Sequence, residues 1–296
     1  MRLLAEFVMK SRSRALGAAV ATAFVPFLSI ISAAIIALIW LRMGRREGLF
    51  VLFWAALPGF YYLFTQGSPD VLLALTTAGL LADILRSTQR WSQVLLLGTA
   101  LAGVVAFSYQ WLAPDIQDEF IRLLITQGGV LDTSQLSGQD QQRLESLLAL
   151  LLNGVITAVQ LLMVFVSLFL ARWWQASLYN PGGFKEEFHW LRLPAWYSGL
   201  MIGCLLAVML GFEQLMAGLP VLVVPLLLSG LALVHGVVAI KQYNTFWLGM
   251  LYVLLLFALP YLSVLLILIA MADSLMNFRH RLAPPPPPND GGHGDA

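Results

Sequence analysis

The sequence predicts an all-α fold: a polytopic transmembrane helix bundle of about eight membrane-embedded segments, the first and last interrupted by proline. Three observations predict it. Hydrophobic residues fill 59% of the 296 positions and charged residues only 11%, where soluble domains carry about 25% charged. Eight apolar stretches follow one another, at roughly 15–41, 48–65, 70–85, 92–112, 144–171, 194–212, 219–240 and 246–277, against the about 20 residues a spanning helix needs. The 17 Lys and Arg residues also sort to one side of a membrane once the two outermost stretches are allowed to turn back.

The chain opens on a basic segment, 1–14, with Arg2, Lys10, Arg12 and Arg14. The apolar run behind it reaches Leu41, well beyond the about 7–15 residues of a signal-peptide core, so it reads as an uncleaved membrane element. Eight single spans in strict alternation place 8 Lys/Arg on one side and 9 on the other, which gives no orientation. If 15–41 folds back at Pro26 and 246–277 at Pro260, 15 fall inside and two, Arg122 and Arg143, outside. The positive-inside rule selects the second arrangement. Proline supplies a local cause, since it removes a backbone donor and breaks a helix; for Pro260 a kink in one long helix is the alternative. The expected location is a bacterial inner (plasma) membrane with both termini cytoplasmic and a transmembrane domain over 15–278.

Between the stretches, Ser68, Pro69 and Asp70 read as N-cap, first helical residue and an acid at the positive helix end. The loop 113–143 is the main extracytoplasmic piece, acidic, with Ile116, Phe120, Leu123 and Leu124 on one helical face. Ser137 followed by Asp140 resembles a capping box that opens the next helix. The segment 172–193 is a cytoplasmic loop: tryptophans at its entrance, turn chemistry at Asn180-Pro181-Gly182-Gly183, then an amphipathic turn with Phe184, Phe188 and Leu191 on one side. That makes Trp173, Trp174, Asn180, Pro181, Gly182, Gly183, Phe184 and Phe188 a candidate docking surface, an interfacial anchor being the plainer use of the same residues. Residues 279–296 form a Pro/Gly-rich tail with nothing to bury.

Polar groups inside apolar stretches are costly and so are functional candidates. Asn153, Thr157, Gln160 and Ser167 share one side of the fifth stretch, His235 lies in the seventh, and Thr76 and Thr77 near the middle of the third. Asn153, Thr157, Gln160 and His235 form the candidate cavity; interhelical hydrogen bonds without a ligand are the alternative use. Asp83 and Arg86, three residues apart, are expected to pair. Gly199, Gly203, Ala207 and Gly211 form a small-xxx-small row expected to pack inside the bundle, and Ala15, Ala19 and Ala23 a second one, open to a partner.

Other functions are excluded by what is missing. A net charge of +1 provides no basic field for nucleic acid. Cys204 is alone, and His189, His235, His280 and His293 lack ligand spacing, so no metal site is expected. No nucleophile–base or paired-acid pattern points to an enzyme, and no cofactor is implied.

The Ala-rich first stretch with Pro26, the turn Leu41-Arg42-Met43-Gly44-Arg45-Arg46-Glu47-Gly48-Leu49, and Arg172 followed by Tyr179-Asn180-Pro181-Gly182-Gly183-Phe184 resemble the YybS-like family of bacterial multi-pass membrane proteins over roughly residues 10–280. That family is distantly similar to the substrate-binding S components of energy-coupling-factor importers. In those, an Ala-x-x-x-Ala face on the first helix meets a transmembrane coupling subunit, a pattern that Ala15, Ala19 and Ala23 match. The resemblance implies a transport-related subunit in the lipid bilayer, with a small-molecule ligand and a membrane coupling subunit as partners. The chain departs from it by having more than six membrane segments. The competing expectation is a non-transporting assembly protein that recruits cytoplasmic partners.

Overall fold

The computed structural model describes residues 2–112 and 137–282. Every regular element among them is helical. In chain order these are α1 (Arg2–Met9), α2 (Arg12–Ala23), α3 (Ser29–Met43), α4 (Arg45–Gln66), α5 (Asp70–Thr88), α6 (Trp91–Leu112), α7 (Gly138–Tyr179), α8 (Gly183–His189), α9 (Ala195–Met209), α10 (Leu219–Ile240), α11 (Phe246–Phe257), α12 (Leu259–Met276) and α13 (Phe278–Leu282). Short 3₁₀ turns at Pro26–Leu28 and Glu213–Ala217 lead into α3 and α10. Among the described residues, six helical stretches are long and apolar enough to cross a membrane: α4, α5, α6, α7, α12, and α10 with the turn before it; α3, α9 and α11 are apolar but shorter. The chain is thus a multi-pass helical bundle. The count differs from eight because the break at 24–28 leaves α3 with 15 residues and α9 also has only 15, while the run broken at Ala258 still contributes α12.

α3 forms the hub. Every residue from Ser32 to Leu41 is buried, and the helix packs on α2, α4, α5 and α7. A helix that is apolar all round has no reason to face water, and Ala33, Ala34 and Ala37 let neighbouring backbones approach closely. α2 lies along α3: the Ser32 hydroxyl donates to the Ala19 carbonyl at 2.8 Å. Arg12, at the start of α2, pairs with Glu47 just past the end of α3, so the chain enters and leaves this hairpin at one end of the bundle. Gly44, at φ +96°, turns the chain there into α4, and a Cβ on it would meet the Arg86 guanidinium.

Prolines act by position. Pro58 and Pro225 sit inside α4 and α10, whereas Pro260 is near the start of α12, just after the break at Ala258, where a missing N–H costs nothing. α5 begins at Asp70, with Ser68 Oγ bonded to the Asp70 carboxylate at 2.9 Å. Ser137 caps α7, its Oγ accepting from Asp140 N at 3.3 Å. At 42 residues α7 is roughly 63 Å long and outruns the about 40–45 Å of a bilayer with its headgroups.

Several expectations change. Residues 113–136, most of the acidic loop, and 283–296, most of the tail, lie outside the described residues, and 138–143 belong to α7. The tail does not start at 279: Phe278–Leu282 is helical and Arg279 is 1% exposed. Asp83 does not pair with Arg86. Its carboxylate takes two bonds of 2.7 Å from Arg45 and one of 3.1 Å from Trp40 Nε1, while Arg86 donates to the Trp40 carbonyl at 3.2 Å. The bidentate Arg45 fork, supplied by the preceding helix α4, outcompetes a neighbour on the same helix.

Candidate functional site

Asn153 and Thr157 stand one turn apart on α7 and are 1% and 3% exposed. Elsewhere in the bundle Thr22, Thr65, Thr76, Thr88 and Thr99 each donate to the carbonyl four residues earlier, at 2.6–2.8 Å. Thr157 makes no such bond, and both amide atoms of Asn153 are also without a partner. More than nine in ten buried polar groups in folded proteins are satisfied, so two adjacent orphans on one face are unusual. Thr157 borders a cavity of about 40 Å³, together with Thr77, Gln160, Leu73, Gly98 and Val164. That is room for a few water molecules or one small polar group. Gln160 is partly spent, its Nε2 donating to the Asp70 carbonyl at 2.6 Å. Gly154 brings α7 against the Ala217 carbonyl of the turn before α10. His235 does not join this site: its Nε2 and the Tyr252 hydroxyl are 2.9 Å apart, and its ring lies 5.5 Å from Phe188 and 6.4 Å from His189.

The two small-residue rows exchange roles. Ala15, Ala19 and Ala23 are buried, at 4%, 0% and 0% exposure, inside the α2–α3–α4 packing. They are therefore not open to another chain in this conformation. Gly199, Gly203 and Gly211 lie on the outside, where an added Cβ would meet nothing within 4 Å.

The predicted docking loop is lashed to its own bundle. Trp174 is fully buried. Phe184 and Phe188 form an aromatic cluster with Trp91 and Phe169, at ring separations of 4.8–6.3 Å. Glu187 pairs with Arg172 and accepts from Trp91 Nε1 at 3.0 Å. Trp173, Asn180, Pro181 and Gly182 remain exposed and Gly183 half-buried. The apolar face of α8 was thus legible, but it covers this protein's own helices.

A second polar centre was missed. Asp273 is 0% exposed and Arg279 1%. Asn277, at φ 51°, reverses the chain after α12 and returns Arg279 to within 3.5 Å of the Asp273 carboxylate. Arg279 donates to the His189 carbonyl at 2.7 Å and the Ser229 carbonyl at 3.2 Å. Arg192 caps α12 through the Asp273 and Ser274 carbonyls at 3.0 and 2.8 Å, and the Ser198 and Ser274 hydroxyls are 2.6 Å apart. Desolvation, then the Lys185 and Arg279 charges, hold His189 below the usual histidine pKa. A lone carboxylate near the end of an apolar stretch was the available signal, because such a group needs a buried partner.

A groove of about 840 Å³ runs between α10, α11 and α12 beside α13. Leu233, Val237, Met250, Leu254 and Phe278 line it; beyond the Tyr243 and Trp247 tips it lacks the convergent polar groups that orient a ligand. Comparison with protein-family models, curated proteins and solved structures finds no match to this chain.

Proposed function

We propose that this protein is a transport-related subunit of the bacterial inner membrane, S-component-like, that takes the polar end of a small molecule at Asn153 and Thr157. One observation carries the reading: the unpartnered Thr157 hydroxyl borders a cavity, and the unpartnered Asn153 amide lies one turn away on the same helix. Together they offer three donor hydrogens and two acceptor oxygens, which suits a guest that both accepts and donates. At about 40 Å³ the cavity takes only such an end, since whole ligand sites run about 300–1,000 Å³. Loading a larger molecule therefore requires α5 and α6 to move from α7. In this reading the end that gathers Arg12, Arg45, Arg86 and Arg172 faces the cytoplasm, and the α2–α3 and α11–α12 pairs re-enter the membrane from that side. A coupling subunit meets a face other than the buried alanine row.

The test is native mass spectrometry of the purified protein. A small molecule retained by the wild type and absent from Asn153→Leu is the expected result. A wild type that never carries or takes up a small molecule would defeat the proposal.

A second reading, a non-transporting assembly protein, is favoured by the uncovered Gly199–Gly203 face of α9, which suits close contact with another membrane helix. Purification in mild detergent separates the two: an associated ATPase supports the first, and a stable complex without one the second.

A further inference from the structure

We infer that the outer surface of the α2–α4 junction is a binding site for an anionic glycerophospholipid, independent of the Asn153 centre. A pocket of about 630 Å³ opens there, bordered by Arg12 from α2 and by Arg46, Glu47, Phe50, Phe53 and Trp54 from α4. Helical spacing sets Phe50, Phe53 and Trp54 four, seven and eight residues after Arg46, on one face. The three rings are 41–65% exposed on a helix apolar enough to span a membrane, so they face lipid. The pocket therefore has a charged head and an apolar wall in membrane order.

Its charge selects an anion. Glu47 is paired with Arg12, whereas Arg46 is exposed and makes no ion pair among the described residues. Two guanidinium groups against one carboxylate leave a net positive site, and guanidinium is suited to phosphate oxygens. The first N–H groups of α4 add positive potential at the same turn. The phosphate sits on Arg46 and Arg12, and one acyl chain runs down Phe50, Phe53 and Trp54. A soluble phosphate would leave that wall unused, and a zwitterionic lipid would bring a cation to a site already net positive.

The experiment offers purified full-length protein an equimolar mixture of phosphatidylglycerol and phosphatidylcholine, with retained lipid read by native mass spectrometry. The wild type is expected to keep phosphatidylglycerol preferentially. Arg46→Gln should reduce that preference by about tenfold, the least that losing a charge-assisted contact is worth. Arg46→Lys should retain part of it. Phe53→Ser should weaken retention of both lipids, and thermal melts of all three variants should match the wild type because these side chains are exposed. Equal retention of the two lipids, or a preference unchanged in Arg46→Gln, overturns the inference. Release of phosphatidylglycerol by millimolar inorganic phosphate also overturns it, by making the site one for free phosphate.

Discussion

Removing a polar group that holds a protein together lowers its stability; removing an orphaned one raises it. Asn153→Leu keeps the approximate size of the side chain and deletes two unsatisfied atoms, so the ligand-free protein should gain roughly 1–3 kcal/mol. A higher melting temperature together with lost ligand retention marks a binding residue, and a lower one marks a structural role. Arg279 is the opposite case. Arg279→Met strands the Asp273 carboxylate and the His189 and Ser229 carbonyls, and breaking a buried pair in this way costs about 3–5 kcal/mol. Thermal unfolding in detergent would measure both. His189 adds a pH dependence. Its folded-state pKa lies below the unfolded value near 6.5, so its contribution is present above that pH and is lost as pH falls and the unfolded chain takes up the proton. Melting temperature should drop below about pH 6.5, and His189→Gln should flatten that limb.

At the scale of helices, the two small-residue rows make opposed predictions. Ala19 is fully buried against α3 and its carbonyl accepts from Ser32. Ala19→Leu should therefore destabilise the isolated protein by about 1–3 kcal/mol, through overpacking. Gly203→Leu adds a side chain where nothing lies within 4 Å, so its melt should stay within about 0.5 kcal/mol of the wild type. If Ala19→Leu instead leaves the isolated chain unchanged and removes only an associated protein, the alanine row is a partner face after all. Sequence could not have ranked the rows, because both are small residues at spacing four and the difference lies in what the folded neighbours cover. The same holds for α8: Phe184 and Phe188 announced an apolar face, but only the placement of Trp91 and Phe169 shows what that face covers.

For the whole molecule, orientation is the open test. Arg12–Glu47, Arg45–Asp83 and Arg172–Glu187, with Arg86 on the Trp40 carbonyl, gather at one end of the bundle, whereas Arg143 pairs with Glu213 at the other. Reporters fused after Arg281 should read cytoplasmic, and an extracytoplasmic reading would overturn the fold-back topology.

The sequence by itself determined the class, the position of most of the long apolar helices and the collection of several cations at one end. Composition, span length and basic residues are properties a bilayer reads locally, segment by segment. The tertiary structure alone decided which face of each helix is inside, that Asp83 belongs to Arg45, that Asp273 belongs to Arg279, and that His235 stands apart from Asn153. The physical reason is the solvent. In water, polarity separates an exposed face from a buried one, but in lipid both are apolar, so burial leaves little trace in the pattern and must be read from the packing.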